Sequence, residues 1–110
     1  MDRKTQLEQE LKRITEIILR EYKPQRMILF GSLAQGDVHE WSDIDLAIVK
    51  ETQQRFIKRI GEVFQLTRPQ LALNVVVYTP AEVNQMEKED HYFWKDEIVG
   101  KGKVLYDRAA

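Results

Sequence analysis

The sequence contains no cysteine, and it has no long uninterrupted apolar run. The missing thiols exclude a disulfide framework and a zinc site built on thiolates. No apolar run approaches the roughly 20 residues that cross a membrane. The polar and charged residues 1–10 do not contain the apolar core of a signal peptide. Internal repeats, linkers and low-complexity segments are also absent from the sequence. Together these absences predict a cytoplasmic protein.

The sequence also lacks an excess of positive or negative charge, since the formal net charge of the 110 residues is −1. A near-neutral chain lacks the basic field of a protein that coats nucleic acid, so no nucleic-acid binding is expected. The length suits one domain, residues 1–110, with one modest core. We expect a domain this small to bury part of its surface against a partner. The sequence leaves open whether that partner is a second copy or another protein.

A polar motif lies between two apolar runs at the centre of the chain. The run Met27-Ile28-Leu29-Phe30 leads into Gly31 and Ser32, and the second run carries Asp43 and Asp45. Side chains at positions i and i+2 of a strand point to the same face, with their stems roughly 7 Å apart. Their carboxylates can reach one hard cation, or two cations about 3.5–4 Å apart. The spacing therefore predicts a metal cradle on this strand.

The glycine and the serine suit a second task. A Gly-Ser turn before a short helix can present backbone N–H groups to phosphate oxygens. The simpler alternative is a strand-ending turn, with Gly31 selected for its backbone freedom and Ser32 as a helix cap. Asp-x-Asp pairs also occur on solvated strands. Here the acids interrupt a hydrophobic strand, where clustered carboxylates are costly unless a positive charge neutralises them, which favours the metal interpretation.

The complete motif resembles the signature of a known superfamily. Gly31-Ser32, ten intervening residues and Asp43-Ile44-Asp45 are similar to the pattern of the nucleotidyltransferases that include DNA polymerase beta. The short chain and the run GSLAQGDVHEWSDIDLAIV resemble the minimal nucleotidyltransferase (MNT) branch. Its members are small prokaryotic proteins, often encoded beside a HEPN-domain partner as a toxin–antitoxin pair. The resemblance implies an α/β (α+β) fold, a small mixed β-sheet flanked by helices.

The resemblance also implies roles for these residues. Family members hold two Mg²⁺ ions with three carboxylates, and Asp43 and Asp45 match the first two as catalytic and metal-binding residues. Gly31 and Ser32 match the turn that binds the phosphates of the nucleoside triphosphate, here expected to be ATP. Mg²⁺ suits such a site because oxygen ligands, waters and phosphates complete its octahedron.

The third carboxylate of the family pattern is missing. It is expected on a strand over residues 71–78, where the best-fitting position is Asn74. A neutral amide can offer one carbonyl oxygen to a metal but cannot serve as a general base. Nucleotide binding is then expected to survive while transfer slows. Alternatively, Asn74 only satisfies strand hydrogen bonds and the third acid lies elsewhere, with Asp37 and Glu40 as the remaining candidates.

Hydrophobic periodicity and turn residues predict the other elements. Helices are predicted over residues 3–22, 32–35, 52–66, from Pro80 onward and 91–99, and strands over 26–30, 43–49, 71–78 and 104–106. The third helix is predicted to bury Phe56, Ile57, Ile60, Val63 and Phe64, and to expose Arg55, Lys58 and Arg59 as a solvated basic face.

Three residues in the loop of the motif, and Glu82 beyond it, receive structural interpretations. We predict that Trp41 packs under its loop, that His39 is solvated, and that Ser42 caps or orients the Asp43 carboxylate. Thr79 and Pro80 begin a helix in which Glu82 takes the capping-box position, so a structural role is expected for Glu82.

Two functional hypotheses follow. The first is an enzyme that transfers AMP from ATP to a protein hydroxyl; the family resemblance suggests a HEPN toxin as acceptor, modified on tyrosine. The second is an antitoxin that acts by binding its partner and keeps a degenerate nucleotide site. Asn74 favours the second hypothesis, and the intact Gly31-Ser32 and Asp43/Asp45 favour the first.

Overall fold

The protein is described by a computed structural model that covers residues 2–109. Its strands are β1 (Arg26–Phe30), β2 (Ile44–Val49), β3 (Leu73–Tyr78) and β4 (Lys103–Asp107). They form a sheet in the order β3-β2-β1-β4. Strands β2 and β4 run antiparallel to β1, whereas β3 runs parallel to β2. The sheet is therefore mixed, which confirms the predicted fold class.

Helices connect the strands. They are α1 (Arg3–Ile17), which continues as a π-helical turn (Ile18–Tyr22), α2 (Gly31–Gln35), α3 (Phe56–Thr67), α4 (Pro80–Lys88) and a C-terminal π-helix (Phe93–Gly100). Among residues 2–109, no helix combines the length and the apolarity that a membrane span requires. Helix α3 begins four residues later than predicted. The residues before it form a turn in which the backbone N–H of Gln54 donates to the Thr52 hydroxyl.

The two faces of the sheet carry separate apolar clusters. The larger cluster joins the sheet to α1 and α3, and the smaller one joins it to α4 and the π-helix. Alternation along each strand produces this division, because successive side chains point to opposite faces. The larger cluster contains Leu7, Ile14, Ile18, Tyr22, Met27, Leu29, Leu33, Ile44, Leu46, Ile48, Val63, Leu73, Val75 and Val77. The smaller cluster contains Ile28, Ala47, Val49, Val83, Trp94 and Ile98.

The predicted orientation of α3 is partly wrong. Ile57, predicted to be buried, is 77% exposed, and Arg59, predicted to be solvated, is only 7% exposed. The helix buries Arg59, Val63 and Thr67, which are spaced four residues apart and so lie on one face. The physical reason is that Arg59 finds partners inside the protein, and these replace the water that a guanidinium loses on burial.

Arg59 joins three elements. Its Nε donates to the Gln54 carbonyl at 2.7 Å, and its Nη1 donates to the Val77 carbonyl at 3.0 Å and to Glu82 Oε1 at 2.7 Å. Glu82 also forms the predicted capping box with Thr79 at the start of α4. Burial opposes ionisation of Glu82, but hydrogen bonds from Arg59 and Thr79 outweigh it, so its pKa lies below the ordinary 4.5. The pair therefore ties α3 and α4 to β3.

We predict that Arg59→Met lowers the free energy of unfolding by about 2–3 kcal/mol, because it leaves three acceptors without their donor. Lys58→Met, on the exposed side of the same helix, is the control and should change stability little. Because the Glu82 pKa is lowered, its ionic contribution is present at neutral pH and is lost as the pH falls below about 4.5. Chemical denaturation at pH 7 and pH 3.5 measures both effects. Equal stability of the two variants at pH 7 would contradict the prediction.

Candidate active site

The parallel pairing of β2 and β3 brings Asn74 to the aspartate pair. Asp45 is opposite Asn74 in the register, and Asp43 immediately precedes the first residue of β2. The Asn74 Nδ2 donates to Asp45 Oδ1 at 3.0 Å and to Asp43 Oδ2 at 3.3 Å. Both carboxylates therefore lie on one face of the sheet, within reach of a single amide group. This is the arrangement that the i, i+2 spacing predicts.

Gly31 lies against the carboxylate of Asp45. The antiparallel register pairs Asp45 with Phe30, so the turn that follows β1 begins beside the acid. Gly31 has a φ of +76°, and a Cβ at this position would lie 2.2 Å from Asp45 Oδ2. Two features therefore require glycine at this position: the left-handed backbone and the close approach of Asp45. The turn that begins at Gly31 therefore lies directly against the carboxylate of Asp45.

A hydrogen-bond network joins this turn to the loop that precedes β2. Ser32 Oγ donates to Ser42 Oγ at 2.9 Å, and the backbone N–H of His39 donates to the same oxygen at 2.9 Å. The Ser42 hydroxyl is thus bonded to the turn and to its own loop. We find no contact of this hydroxyl with Asp43 among the hydrogen bonds of residues 2–109, so the prediction that Ser42 orients Asp43 is wrong.

Arg3 is a member of the network that sequence reasoning missed. Its Nε and Nη2 donate to the Ser42 carbonyl at 3.1 Å and 2.8 Å. Arg3 is one of several charged residues in α1, and helical periodicity contains no information about which of them reaches a loop 39 residues away. No pattern in the sequence separates it from its neighbours.

The tryptophan of the loop does not pack as predicted. Trp41 is 78% exposed, and its backbone N–H donates to the imidazole Nδ1 of His39 at 3.2 Å. The bond lies within the turn at residues 40 and 41. His39 itself is exposed, as predicted.

Charge accumulates at the acid pair. Burial raises the pKa of Asp45 above its ordinary 3.8, the Asn74 amide opposes that shift, and the negative charge of Asp43 adds to it. Ionised Asp45 is therefore stabilised less in the folded protein than in water. A cation bound between the two carboxylates would relieve this cost.

An apolar cavity of about 500 Å³ opens beside the acids. Asp45 and Asn74 form its polar end, and Phe30 and Phe93 meet edge to face in its wall, with ring centroids 5.6 Å apart. The remaining lining residues are Ile60, Phe64, Leu73, Val75 and Val76. Such a volume is typical of small-molecule sites, and its apolar walls suit a flat or aromatic group.

The donor set fits one hard cation better than two. Asp43 and Asp45 supply carboxylate oxygens, and the Asn74 amide can supply a carbonyl oxygen. Across residues 2–109, no cluster of three or more His, Cys, Asp or Glu side chains could hold a metal ion. Asp37 and Glu40 are both exposed on the loop, so neither joins the aspartates as a third acid. The chain thus provides two carboxylates and one amide.

Gly31→Ala tests the close approach of the turn to the acid. The variant should lower the free energy of unfolding by about 3 kcal/mol or more, because backbone strain and the clash with Asp45 add. Gly36→Ala is a matched control: its φ is +74°, but a Cβ there meets nothing within 4 Å. It should lose only about 1 kcal/mol. Denaturation curves that show the same loss for both variants would contradict the prediction.

The raised pKa of Asp45 predicts a pH-dependent stability. Ionising this group costs stability at neutral pH, and the cost is absent once the pH falls below about 3.8, where the acid is protonated in both states. Asp45→Asn should therefore be more stable than wild type at pH 7 and unfold at a higher temperature. The gain should be less than about 1 kcal/mol, because solvent screens the partly exposed carboxylate. The difference should disappear near pH 3. Asp37→Asn, on the exposed loop, is the control. A thermal midpoint of Asp45→Asn at or below wild type at pH 7 would argue against the prediction.

Comparisons with known proteins agree on one family. Residues 12–110 match the model of the family described as "Polymerase beta, Nucleotidyltransferase". A Methanocaldococcus jannaschii protein described as a "putative protein adenylyltransferase" is 30% identical over 83 residues, 74% of this chain and 78% of that protein. A crystal structure described as that of a "putative nucleotidyltransferase" from Sulfolobus solfataricus has the same fold. It superposes with a TM-score of 0.67 at 18% identity, over 96% of this chain and 85% of its own. The chain therefore belongs to the polymerase beta nucleotidyltransferase family.

Proposed function

We propose that this protein is a Mg²⁺-dependent nucleotidyltransferase that transfers AMP from ATP to a hydroxyl group of another protein. Residues 1–110 would then act as one minimal nucleotidyltransferase domain. The observation that carries the proposal is the contact of Gly31 with the Asp45 carboxylate. It unites a turn suited to phosphates with a pair of acids suited to a cation. The Methanocaldococcus jannaschii relative supports the choice of a protein acceptor.

Each part of the pocket has a task under this proposal. The turn at Gly31 and Ser32 binds the phosphates through backbone N–H groups and the serine hydroxyl. Asp43 and Asp45 would hold the cation. Asn74 would offer its carbonyl oxygen in place of a third carboxylate after its amide turns over, because its Nδ2 faces both aspartates in this structure. Bound Mg²⁺ would neutralise charge on the triphosphate. The acceptor oxygen forms a bond to the α-phosphorus, the bond to the β-phosphate breaks, and pyrophosphate leaves.

The proton of the acceptor hydroxyl passes to solvent water, because no side chain of this site accepts it. Asn74 is neutral and cannot accept it, and the two aspartates are engaged with the cation. The hydroxyl is therefore activated less than it would be beside a third carboxylate. We expect transfer to be slow relative to nucleotide binding.

A second candidate function rests on the same residue. The Asn74 amide donates to both aspartates, an arrangement that stabilises the pair without a metal. A protein of this kind can bind nucleotide without transferring it and can neutralise a partner by covering it. For either function, we propose a HEPN-domain toxin as the partner and an antitoxin role for this chain, on the strength of the motif resemblance.

A labelling assay separates the two functions. It uses the product of the gene adjacent to this one as the proposed HEPN-domain partner. ATP labelled at the α-phosphate should label that partner in the presence of Mg²⁺, whereas ATP labelled at the γ-phosphate should not. Asp43→Ala should reduce labelling by at least about 100-fold, because it removes half of the carboxylate pair. Asp37→Ala, an exposed acid of the adjoining loop, should keep full activity.

Asn74→Asp measures how much the missing carboxylate would contribute to the rate of transfer. It restores an acid opposite Asp45 and should raise the transfer rate about tenfold or more, since general-base assistance typically contributes at least that factor. No change in rate would place the third ligand elsewhere. Wild-type protein that neutralises the partner without labelling it would establish the binding function instead.

A further inference from the structure

Ser42 is hydrogen-bonded at every polar atom. Its backbone N–H donates to the His39 carbonyl at 3.0 Å, its hydroxyl bonds to Ser32 and to the His39 backbone, and its carbonyl accepts from Arg3. The residue is only 3% exposed, although its loop lies on the surface. It occupies the position between the phosphate turn and the first acid. Ser42 therefore links the turn at Ser32 to the loop that leads into Asp43.

Arg3, which holds the Ser42 carbonyl, belongs to α1, an element distant in sequence from the loop. Two guanidinium nitrogens, Nε and Nη2, converge on the one carbonyl oxygen of Ser42. Bonds from a charged donor are stronger than neutral ones and are directional when two nitrogens share the acceptor. The first turn of α1 supplies the arginine, and Asp2 caps that turn by accepting from the Thr5 backbone N–H at 2.7 Å. The helix start is thus itself fixed.

We propose that Arg3 is a positioning residue for the nucleotide site: through Ser42, it fastens the loop over residues 37–43 and so holds the Ser32 hydroxyl beside the aspartate pair. The inference rests on the proposed function in one respect, namely that Ser32 contacts the phosphates. The fastening of the loop by α1 does not depend on nucleotide binding and rests only on the hydrogen bonds.

The bond between the two serines allows Ser32 to serve both partners. Ser42 Oγ already accepts from the His39 N–H, and it has a hydrogen of its own to donate. In the observed arrangement Ser32 donates to Ser42. When the direction reverses, Ser42 donates, and the hydrogen of Ser32 becomes free for a phosphate oxygen while the two oxygens stay in place. Arg3 keeps Ser42 where this exchange is feasible.

The test compares Arg3→Gln with Lys4→Gln. Both remove one positive charge from the first turn of α1, but Lys4 is exposed and serves as the matched control. Hydrogen exchange of the backbone amides of His39 and Ser42 reports on the loop, and calorimetric titration with Mg²⁺ and a non-hydrolysable ATP analogue reports on the pocket. Neither readout requires transfer activity.

Arg3→Gln should accelerate exchange at these two amides about tenfold and weaken binding of the analogue about tenfold, with little change in the thermal midpoint. Arg3→Lys keeps the charge but not the pair of guanidinium donors. Its exchange rates and its affinity for the analogue should lie between those of wild type and Arg3→Gln. Asp2→Ala should reproduce part of the loop effect, because it frays the turn that presents Arg3. Lys4→Gln should match wild type.

Unchanged exchange at His39 and Ser42 in Arg3→Gln would overturn the fastening of the loop. Faster exchange with unchanged affinity for the analogue would overturn the positioning role of Arg3. Failure of the wild type itself to bind the analogue would refute the proposed function, and in that case the exchange rates still decide the fastening.

Discussion

The contact between the backbone of Gly31 and the carboxylate of Asp45 is the interaction on which the candidate site depends. Gly31 can approach Asp45 only because it lacks a Cβ and adopts a positive φ. The antiparallel pairing of β1 with β2 then fixes which carboxylate it meets, since Phe30 is opposite Asp45. The remaining strands and helices keep these two strands in register. A small domain can therefore bring a turn and a strand acid together through the register of two strands.

The position of Asp45 in the fold makes its ionisation unfavourable. Burial and the neighbouring Asp43 both raise the pKa of Asp45, and the nearest compensation is the amide of Asn74. A neutral donor satisfies hydrogen-bonding capacity but does not cancel charge. The folded protein therefore retains two interacting acids that a cation would stabilise. Such retained strain is typical of sites that bind ligands rather than of cores.

The sequence predicted the fold class and nearly all of the elements, because each has strong local signals. A nearly continuous apolar run defines β2, period-two alternation defines β3, and Thr79-Pro80 with Glu82 marks the start of α4. Local signals also predicted that Asp43 and Asp45 share a face. The orientation of α3 was predicted wrongly, because a buried Arg59 depends on carbonyls and on Glu82, which are distant in sequence. Trp41 was predicted wrongly and Arg3 was missed for the same reason: their surroundings are set by loop geometry and tertiary contacts.

The parallel pairing of β2 with β3 has a consequence for how the protein matures. The two strands are joined by a crossover that contains α3, and parallel neighbours require such a connection. During synthesis, the ribosome must release β3 before the amide of Asn74 can reach the aspartates. Contacts of high sequence separation also form late in folding, because chain entropy opposes them. The contact between Asn74 and the two aspartates therefore forms only after α3 and β3 have been synthesised and β3 has paired with β2.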